Sequence, residues 1–185
     1  AATKAYVDST VSGSGALPTS GGTMTGDILI SGTVNIGTSG NRVSTVFATT
    51  FNGTATSAQY ADLAENFVSD TNYEPGTIVA LGGSEEITKV NEDMSNEVFG
   101  VVSEQPAYLM NAKQTNGTPV AISGRVQVKV KGKINKGDRL VSAGNGMARS
   151  ASADESINAF NVIGRAIQSK NSQDEGTIEA FVTIN

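Results

Sequence analysis

The sequence predicts a mainly β protein, because its composition favours strands and turns over helices. The 185 residues include 18 Val and 12 Ile against 6 Leu, and β-branched residues pack well on pleated strands. The 21 Gly residues supply the turns that many short strands require. Large apolar residues are frequent enough for a folded core rather than a disordered chain. We therefore expect a folded protein built from short strands.

Residues 1–60 are predicted to form a fibrous trimeric shaft. They contain 20 Ser or Thr and 9 Gly but only four charged residues, Lys4, Asp8, Asp27 and Arg42. A segment so poor in charge and in large apolar side chains cannot bury a sizeable core by itself. Three identical chains wound around one axis supply the core that one copy lacks.

Two local patterns describe this shaft. Residues 1–11 carry Ala and Val at positions that a short helical bundle of three chains could bury. Further along, apolar residues alternate with polar ones between Gly-containing turns, at Ile28, Ile30, Val34, Ile36, Val43 and Val46. A period of two residues is typical of strands. We therefore predict a short N-terminal helical segment followed by an intertwined β-shaft.

The residues that join the two parts of the chain have helical spacing. Tyr60, Leu63, Ala64 and Phe67 lie at i, i+3, i+4 and i+7, which favours a helical turn. An extended segment that wraps onto a neighbouring subunit is the alternative.

Residues 61–185 are predicted to form a compact antiparallel β-barrel or sandwich. The clearest pattern is the alternation of Val126, Val128 and Val130 with polar residues, which gives a strand one dry and one wet face. Pairs of turn residues such as Asn-Gly and Gly-Gly separate the apolar runs, as a strand-rich domain requires. The predicted strands are 77–81, 86–90, 98–103, 119–122, 125–130, 139–141, 162–167 and 177–184.

The N-terminal residues resemble a repeat of phage tail fibres. Residues 2–9, ATKAYVDS, and residues 17–28, LPTSGGTMTGDI, match in order and spacing the repeat that recurs along tail fibres of phages with T-even-like tails. The resemblance implies a trimeric, elongated virion protein. A low-complexity Ser/Thr/Gly linker is the alternative, but a linker does not need Tyr6, Met24 and alternating Ile and Val residues.

A second resemblance covers most of residues 47–185. The runs FATTFNGTA at 47–55, YADLAENF at 60–67, YEPGT at 73–77 and FGVVS at 99–103 are similar to a terminal domain of structural and fibre proteins of cyanophages and related tailed phages. They are more distantly similar to the self-cleaving assembly domains that end some phage appendages and fibres. This resemblance implies a virion role and supplies no reaction.

The composition excludes several classes of function. The chain has no Cys and no His, which removes thiolate and imidazole metal sites and Ser-His-Asp or Cys-His catalysis. Its net charge of −5 disfavours nucleic-acid binding, which normally needs a basic excess. No apolar run approaches the ~20 residues that span a bilayer, so we expect no membrane insertion. No phosphate-loop or dinucleotide fingerprint is present, so we expect no cofactor.

Self-cleavage is the first enzymatic hypothesis that the second resemblance raises. It needs a hydroxyl nucleophile and a base, and Ser69-Asp70 is the most suggestive pair. One class of self-cleaving domains carries Ser-Asp followed shortly by Arg and Lys, whereas Thr71, Asn72 and Tyr73 follow here. The pattern fails, and solvation of a loop is the favoured reason for both side chains.

Acidic residues supply the remaining catalytic and metal-binding hypotheses. Glycan hydrolysis needs two carboxylates that face each other, but the pairs here are adjacent residues that point apart or are solvated. These pairs are Glu85-Glu86, Glu92-Asp93 and Asp154-Glu155. Oxygen-bearing residues at alternate positions loosely resemble a calcium loop without its central Gly, at Asn91, Asp93, Ser95 and Glu97. We predict a polar surface loop there, with no metal site.

The one marked charge cluster is basic and lies between residues 125 and 139. Its six members, against a single acidic residue, are Arg125, Lys129, Lys131, Lys133, Lys136 and Arg139. Such a cluster could contact phosphate or carboxylate groups of a host envelope glycan. A solvated edge strand, on which Lys blocks unwanted strand pairing, is the commoner reason for such a run.

Together these patterns predict a structural component of a phage tail fibre in the virion. We expect a homotrimer that binds other tail or fibre proteins, assembles the fibre, and makes any host contact through its distal β domain. We expect no enzymatic activity. The alternatives are a capsid decoration protein and a self-cleaving, chaperone-like fibre domain. The decoration alternative explains the β domain but not the N-terminal repeat.

Overall fold

A computed structural model describes residue 27, residues 36–50 and residues 60–183 of the chain. The chain divides into two compact units, Ala1–Gly53 and Thr54–Asn185. In the first unit the described residues form bends and one turn, in which the backbone N–H of Asn41 donates to the carbonyl of Thr38 at 3.2 Å. Every described residue of this unit is exposed.

The shaft predictions are tested only in residues 36–50. The predicted N-terminal helix and the apolar alternation from Ile28 to Val34 lie outside the described residues. Residues 36–50 of the single chain contain no strand. The strands predicted around Val43 and Val46 belong to an intertwined trimer, in which neighbouring chains complete the hydrogen-bonded ladders, so they remain a prediction.

Residues 60–183 of the second unit form ten strands and, within that range, no helix. The strands are β1 (Asp62–Val68), β2 (Ile78–Leu81), β3 (Ile87–Lys89), β4 (Gly100–Val102), β5 (Tyr108–Met110), β6 (Gly117–Lys131), β7 (Arg139–Gly144), β8 (Met147–Ser150), β9 (Val162–Ala166) and β10 (Glu175–Thr183). In the described part of the chain, no helix is long and apolar enough to cross a membrane.

Five of these strands close into a barrel. β6 pairs with β10, β10 with β9, β9 with β7, and β7 with β8, which returns to β6 at Val130 and Ala148. A closed barrel leaves no edge strand exposed and places alternate side chains inside. The barrel alternative of the sequence prediction is therefore confirmed. Pairing between the strands is antiparallel except at β1–β5 and β6–β8.

The other five strands extend a sheet from the first half of β6. β1 and β4 pair with opposite edges of β6, β5 continues beyond β1, and β2 and β3 continue beyond β4. Consecutive residues of this sheet point to opposite sides, so Ala121 joins the barrel core while Val120 joins a second core. Phe67 and Phe99 pack edge to face against that second core, with ring centres 5.1 Å apart.

One glycine allows β6 to serve both parts of the domain. Gly124 pairs with Asp62 of β1 and also with Val182 of β10. Its φ is +113°, and a Cβ at this position would stand 2.2 Å from the carbonyl oxygen of Ala61. Only glycine fits this conformation and this approach. The strands predicted at 119–122 and 125–130 are therefore one strand that changes partner at Gly124.

The predicted helical turn around residue 60 is wrong. The segment is the extended strand β1, in which Asp62, Ala64 and Asn66 are buried and their neighbours are half-buried. Seven residues of β1 pair with β6 of the same chain. Backbone pairing within the domain outweighs the helical spacing of four apolar side chains, as tertiary contacts commonly outweigh local pattern.

The remaining predictions for this domain are largely confirmed. The strands expected at 77–81, 86–90, 98–103, 139–141, 162–167 and 177–184 correspond to β2, β3, β4, β7, β9 and β10. The short strands β5 and β8 were not predicted. β8 follows an Asn145-Gly146 turn with φ of 52° and 71°, and two positive φ values are typical of a tight hairpin turn.

An ion-pair network around Arg149 joins β8 to two loops. Its guanidinium lies 2.7 Å from Asp93 and 2.6 Å from Glu155, and it contacts both oxygens of each carboxylate. Hydrogen bonds from Arg149 lower the pKa of Asp93 and of Glu155, and the backbone N–H of Ser152 lowers the pKa of Glu155 further. Asp93 is thus bound to an arginine in a loop where the sequence loosely resembles a calcium site.

Replacing Arg149 with Met should lower the free energy of unfolding near pH 7 by about 1 kcal/mol, since a partly exposed ion-pair network contributes little more than that. The folded pKa values of both carboxyls lie below the ordinary 3.8 and 4.5. The two ionised carboxylates therefore stabilise the fold fully at pH values above their ordinary pKa values. This stabilisation is lost as the pH falls through the lower pKa values of the folded state. The difference between parent and variant, measured by urea unfolding, should disappear in acid.

Arg125→Met is the matched control for this prediction. Arg125 makes a single contact of 3.5 Å with Glu179, and both side chains are more than one third exposed. Replacing Arg125 should lower the free energy of unfolding by less than half the amount expected for Arg149→Met. A difference between Arg149→Met and the parent that grows as the pH falls would contradict the assigned role of the network.

Candidate functional site

The structure separates the six predicted basic residues into two groups. Three lie on the outer side of β6, where they alternate with buried valines: Arg125, Lys129 and Lys131. The other three lie in the loop after β6 and at the first position of β7: Lys133, Lys136 and Arg139. All are exposed except Lys129, which is half-buried and donates from its ammonium to the hydroxyl of Thr77 at 3.1 Å.

Cross-strand pairing places two of these arginines in one row on the outside of the barrel. Arg125 of β6 lies opposite Phe181 of β10, and Phe181 lies opposite Arg165 of β9. Arg165 in turn lies opposite Arg139 of β7. Neighbouring strands are about 4.8 Å apart, so the row spans roughly 14 Å. We name these four residues the arginine row.

A cavity of about 640 Å³ lies over three of the four residues of the row. Arg139, Arg165 and Phe181 line it together with Lys136. Much of the remaining lining is apolar, from Val162, Ala166 and Ile167. Arg125, Lys129, Lys131 and Lys133 do not line it, so the structure brings together only Lys136 and Arg139 of the predicted cluster.

The close approach of β9 and β10 sets the shape of this surface. A Cβ on Gly164 would stand 2.1 Å from the carbonyl oxygen of Phe181, so a larger residue there would force the two strands apart. Gly164 is thus required for the pairing that sets Arg165 beside Phe181. The guanidinium of Arg165 is oriented further by its Nη1, which donates to the carbonyl oxygen of Gly137 at 3.1 Å.

The positive charge in this cavity is not neutralised by the protein. Among the described residues, no carboxylate forms a salt bridge with Arg139 or Arg165. Asp138 is adjacent in sequence, but its carboxylate accepts hydrogen bonds from the backbone N–H of Asn135 and the hydroxyl of Ser150, both at 2.8 Å. The cavity therefore combines cationic groups with an apolar floor.

Sequence reasoning missed Arg165 and Phe181. Both occupy outward positions of strands that were predicted, β9 and β10, and their alternation with buried residues marks them as outward. Their proximity to Arg139 follows only from the strand order and register of the barrel. A search for runs of basic residues therefore found Lys131 and Lys133. It missed Arg165, which stands alone 32 residues after Lys133.

A second cavity, of about 240 Å³, lies beside the middle of β6, at residues 125–127. Its polar lining includes the buried Asp62, whose carboxylate accepts a hydrogen bond from the hydroxyl of Ser103 at 2.6 Å. Arg125 and Glu179 also line it and contact each other at 3.5 Å. Because these charged groups already have protein partners, we regard the arrangement as structural.

The Ser69-Asp70 pair does not have the geometry of a nucleophile and its base. The hydroxyl of Ser69 shares a hydrogen bond of 2.8 Å with the hydroxyl of Thr118, whereas Asp70 accepts one from the hydroxyl of Tyr73. That bond lowers the pKa of Asp70, while burial, and then the bond itself, raises the pKa of Tyr73. The two neighbouring side chains thus bind different partners.

One residue of each adjacent acidic pair has a structural contact, and so does the loop that resembles a calcium site. Glu86 accepts a hydrogen bond from the backbone N–H of Val68 at 2.7 Å, and the hydroxyl of Ser95 accepts one from the backbone N–H of Glu97 at 3.1 Å. Asp93 and Glu155 bind Arg149, as described above. Within residues 27, 36–50 and 60–183, no group of three or more His, Cys, Asp or Glu could hold a metal ion.

Comparison with known proteins finds similarity at the level of structure. No family model and no curated protein matches the chain. The chain is similar to the C-terminal fragment of gene product 12 of bacteriophage phi29, with a TM-score of 0.50 and 14% identity, over 67% of this chain and 100% of the fragment. It is also similar to pre-mature gene product 12 of the same phage, with a TM-score of 0.53 and 14% identity, over 72% of this chain and 23% of that one.

A third structure, the N base of head fibre gp8.5 of phi29, matches with a TM-score of 0.40 and 16% identity, over 65% of this chain and 93% of that one. At such identities the similarity concerns the fold alone. The finer resemblances to T-even-like fibres and to cyanophage proteins remain predictions. What the first two comparisons show is that part of this chain, 67% in the first comparison, shares the fold of the C-terminal fragment of a bacteriophage protein, gene product 12 of phi29.

Proposed function

We propose that the chain is a structural component of a phage fibre. The observation that carries this proposal is the match to the complete C-terminal fragment of a phage protein, gene product 12 of phi29. The resemblance of residues 2–9 and 17–28 to a repeat of phage tail fibres supports it independently, since that repeat belongs to elongated virion proteins. The proposal therefore assigns the chain to the virion and, more finely, to its tail fibres.

The exposed apolar residues of the first unit support a homotrimer. Ile36, Val46 and Phe47 are 76%, 72% and 96% exposed in the single chain. Burying such a side chain contributes about 1.5–3 kcal/mol, and the described residues of this unit, all of them exposed, offer no core to bury it. Other copies of the chain supply the missing apolar surface in the trimer that we propose. The resemblance to trimeric fibres agrees with this stoichiometry.

The proposed role is assembly and host contact without catalysis. The side chains that the sequence suggested for self-cleavage make structural contacts instead, at Ser69 and Asp70. The acidic residues Glu86, Asp93 and Glu155 likewise have protein partners. Host contact is assigned to the β domain, because its outer face carries two arginines, Arg139 and Arg165, that form no salt bridge among the described residues. Other tail or fibre proteins are the proposed virion partners.

Imaging of virions tests the proposed location. An antibody raised against residues 61–185 should label the fibres of the phage that encodes this chain, in electron micrographs of intact particles. An antibody against the major capsid protein is the control and should label the head. Label spread over the capsid surface would instead support the decoration alternative. Absence of label from particles whose capsid control is positive would contradict the virion assignment.

Sedimentation of the purified full chain tests the proposed trimer. At micromolar concentration the mass should be three times the 19.0 kDa of one chain. Replacing Val46 and Phe47 together with Ser should weaken the trimer, because it removes apolar surface that the other copies bury. Phe160→Ser is the matched control, since Phe160 is 64% exposed in the second unit and should leave the mass unchanged. A stable, folded monomer would contradict the proposal.

A further inference from the structure

Two positive charges of the arginine row lie close enough to repel each other, and both belong to exposed side chains outside the barrel core. Arg139 and Arg165 lie directly opposite each other on neighbouring strands. Like charges at opposed positions of a sheet destabilise it. The other two arginines of residues 60–183 have acidic partners, since Arg125 contacts Glu179 and Arg149 binds two carboxylates. Two opposed arginines without an acidic partner indicate a surface arranged for an external anion.

Phe181 adds an apolar ring to this anion-binding pair. It lies between Arg125 and Arg165 in the row and is 50% exposed on the outer side of β10. The ring contributes little to the barrel core, because the inward positions beside it are those of Ala180 and Val182. An exposed aromatic face beside cationic groups suits a ligand that has both an apolar face and a negative charge.

The shape of the surface limits the size of such a ligand. The cavity of about 640 Å³ lies in the range that holds one small molecule or a few units of a polymer. Lys136 also lines the cavity, with no hydrogen-bonded partner for its ammonium among the described residues, and adds a third positive charge beside Arg139 and Arg165. Val162 and Ile167 line the same cavity, so part of the ligand contact is apolar.

We propose that Arg139 and Arg165 of the arginine row bind the carboxylate of an acidic sugar. A planar carboxylate accepts two parallel hydrogen bonds from one guanidinium, and arginine recognises it better than lysine does. The C–H face of the sugar ring packs on Phe181, which distinguishes a sugar acid from an inorganic anion or a polyol phosphate. The net charge of −5 disfavours a nucleic acid, which proteins normally bind through a basic excess. Three copies in a trimer would strengthen a weak single contact.

This inference deepens the proposed host contact and rests on it for its biological role. The ligand class is a polysaccharide with uronic acid residues. Binding is a property of the purified chain, so it is measured without virions. A failure to bind would leave the virion location untouched, and a wrong location would leave the binding result untouched.

Calorimetric titration of the full chain with oligogalacturonate and with oligoglucuronate tests the site. Methyl esters of the same oligosaccharides, inorganic polyphosphate and single-stranded DNA are the comparison probes. We expect binding of at least one acidic oligosaccharide in the millimolar range or tighter, and loss of that binding on esterification. Binding of neither oligosaccharide would overturn the proposal. Equal or tighter binding of the esters, polyphosphate or DNA would overturn it as well.

Variants locate the binding on the row. Arg165→Gln should weaken binding of the acidic oligosaccharide about tenfold, the loss expected for one charge-assisted contact. Phe181→Leu keeps an apolar side chain but removes the ring, and should weaken binding about threefold. Lys133→Gln is the matched control, because it removes the same charge from an exposed position outside the cavity, and should change binding by less than about twofold.

The variants also separate a built site from a diffuse charge effect. An equal loss in Lys133→Gln and Arg165→Gln would show that only overall charge matters and would overturn the proposal. Urea unfolding of each variant verifies that the barrel is intact. If Arg165→Gln is destabilised, Arg139→Gln, at the first position of β7, provides the same test without changing the interior of a strand.

Discussion

The sharing of one strand, β6, between two halves of the domain is the constraint on which the rest of the structure depends. Residues 117–124 pair with β1, and the centre of that half pairs with β4 on its other edge. Residues 123–131 pair with β10, and Val130 also contacts β8. Side chains of the strand enter both cores, Val120 in one and Val126, Val128 and Val130 in the other. The two halves therefore share one strand, and neither can unfold without disrupting the pairing of β6. We expect the domain to unfold as one cooperative unit for this reason.

The register of the barrel also determines its outer surface. The pairing that sends Val128 and Ile178 inward brings Phe181 between Arg125 and Arg165 on the outside. A shift by one residue would exchange the two faces, so the buried valines specify the arginine row as well as the core. The small residues at the crossing points, Gly124 and Gly164, allow the approach of backbones that this register needs. A surface that could bind a ligand is thus a consequence of packing on the other face.

The sequence predicted those features that depend on local pattern. The alternation in β6 and β10 and the Asn-Gly turns identified most strands and the outward position of Arg125, because side-chain direction has a period of two. It could not predict β1, since pairing with a distant strand overcame the helical spacing of Leu63 and Phe67. It also missed Arg165 and Phe181 as neighbours of Arg139, because their proximity arises from strand order. Closeness in sequence was also misleading, since Lys131 and Lys133 lie near the other basic residues in the chain but outside the cavity.

Hydrogen exchange of the backbone amides of the full chain tests the central role of β6 most directly. Amides that bond within the ladders in both halves of the strand, around Val120 and around Val128, should exchange only through global unfolding, with the same free energy as that measured by urea. Amides of the short outer strand β5 should exchange through smaller openings, because β5 pairs with β1 alone among the described strands. Exchange of one half of β6 at a clearly lower free energy than the other would show that the halves open separately and would contradict the account of a single unit held by a shared strand.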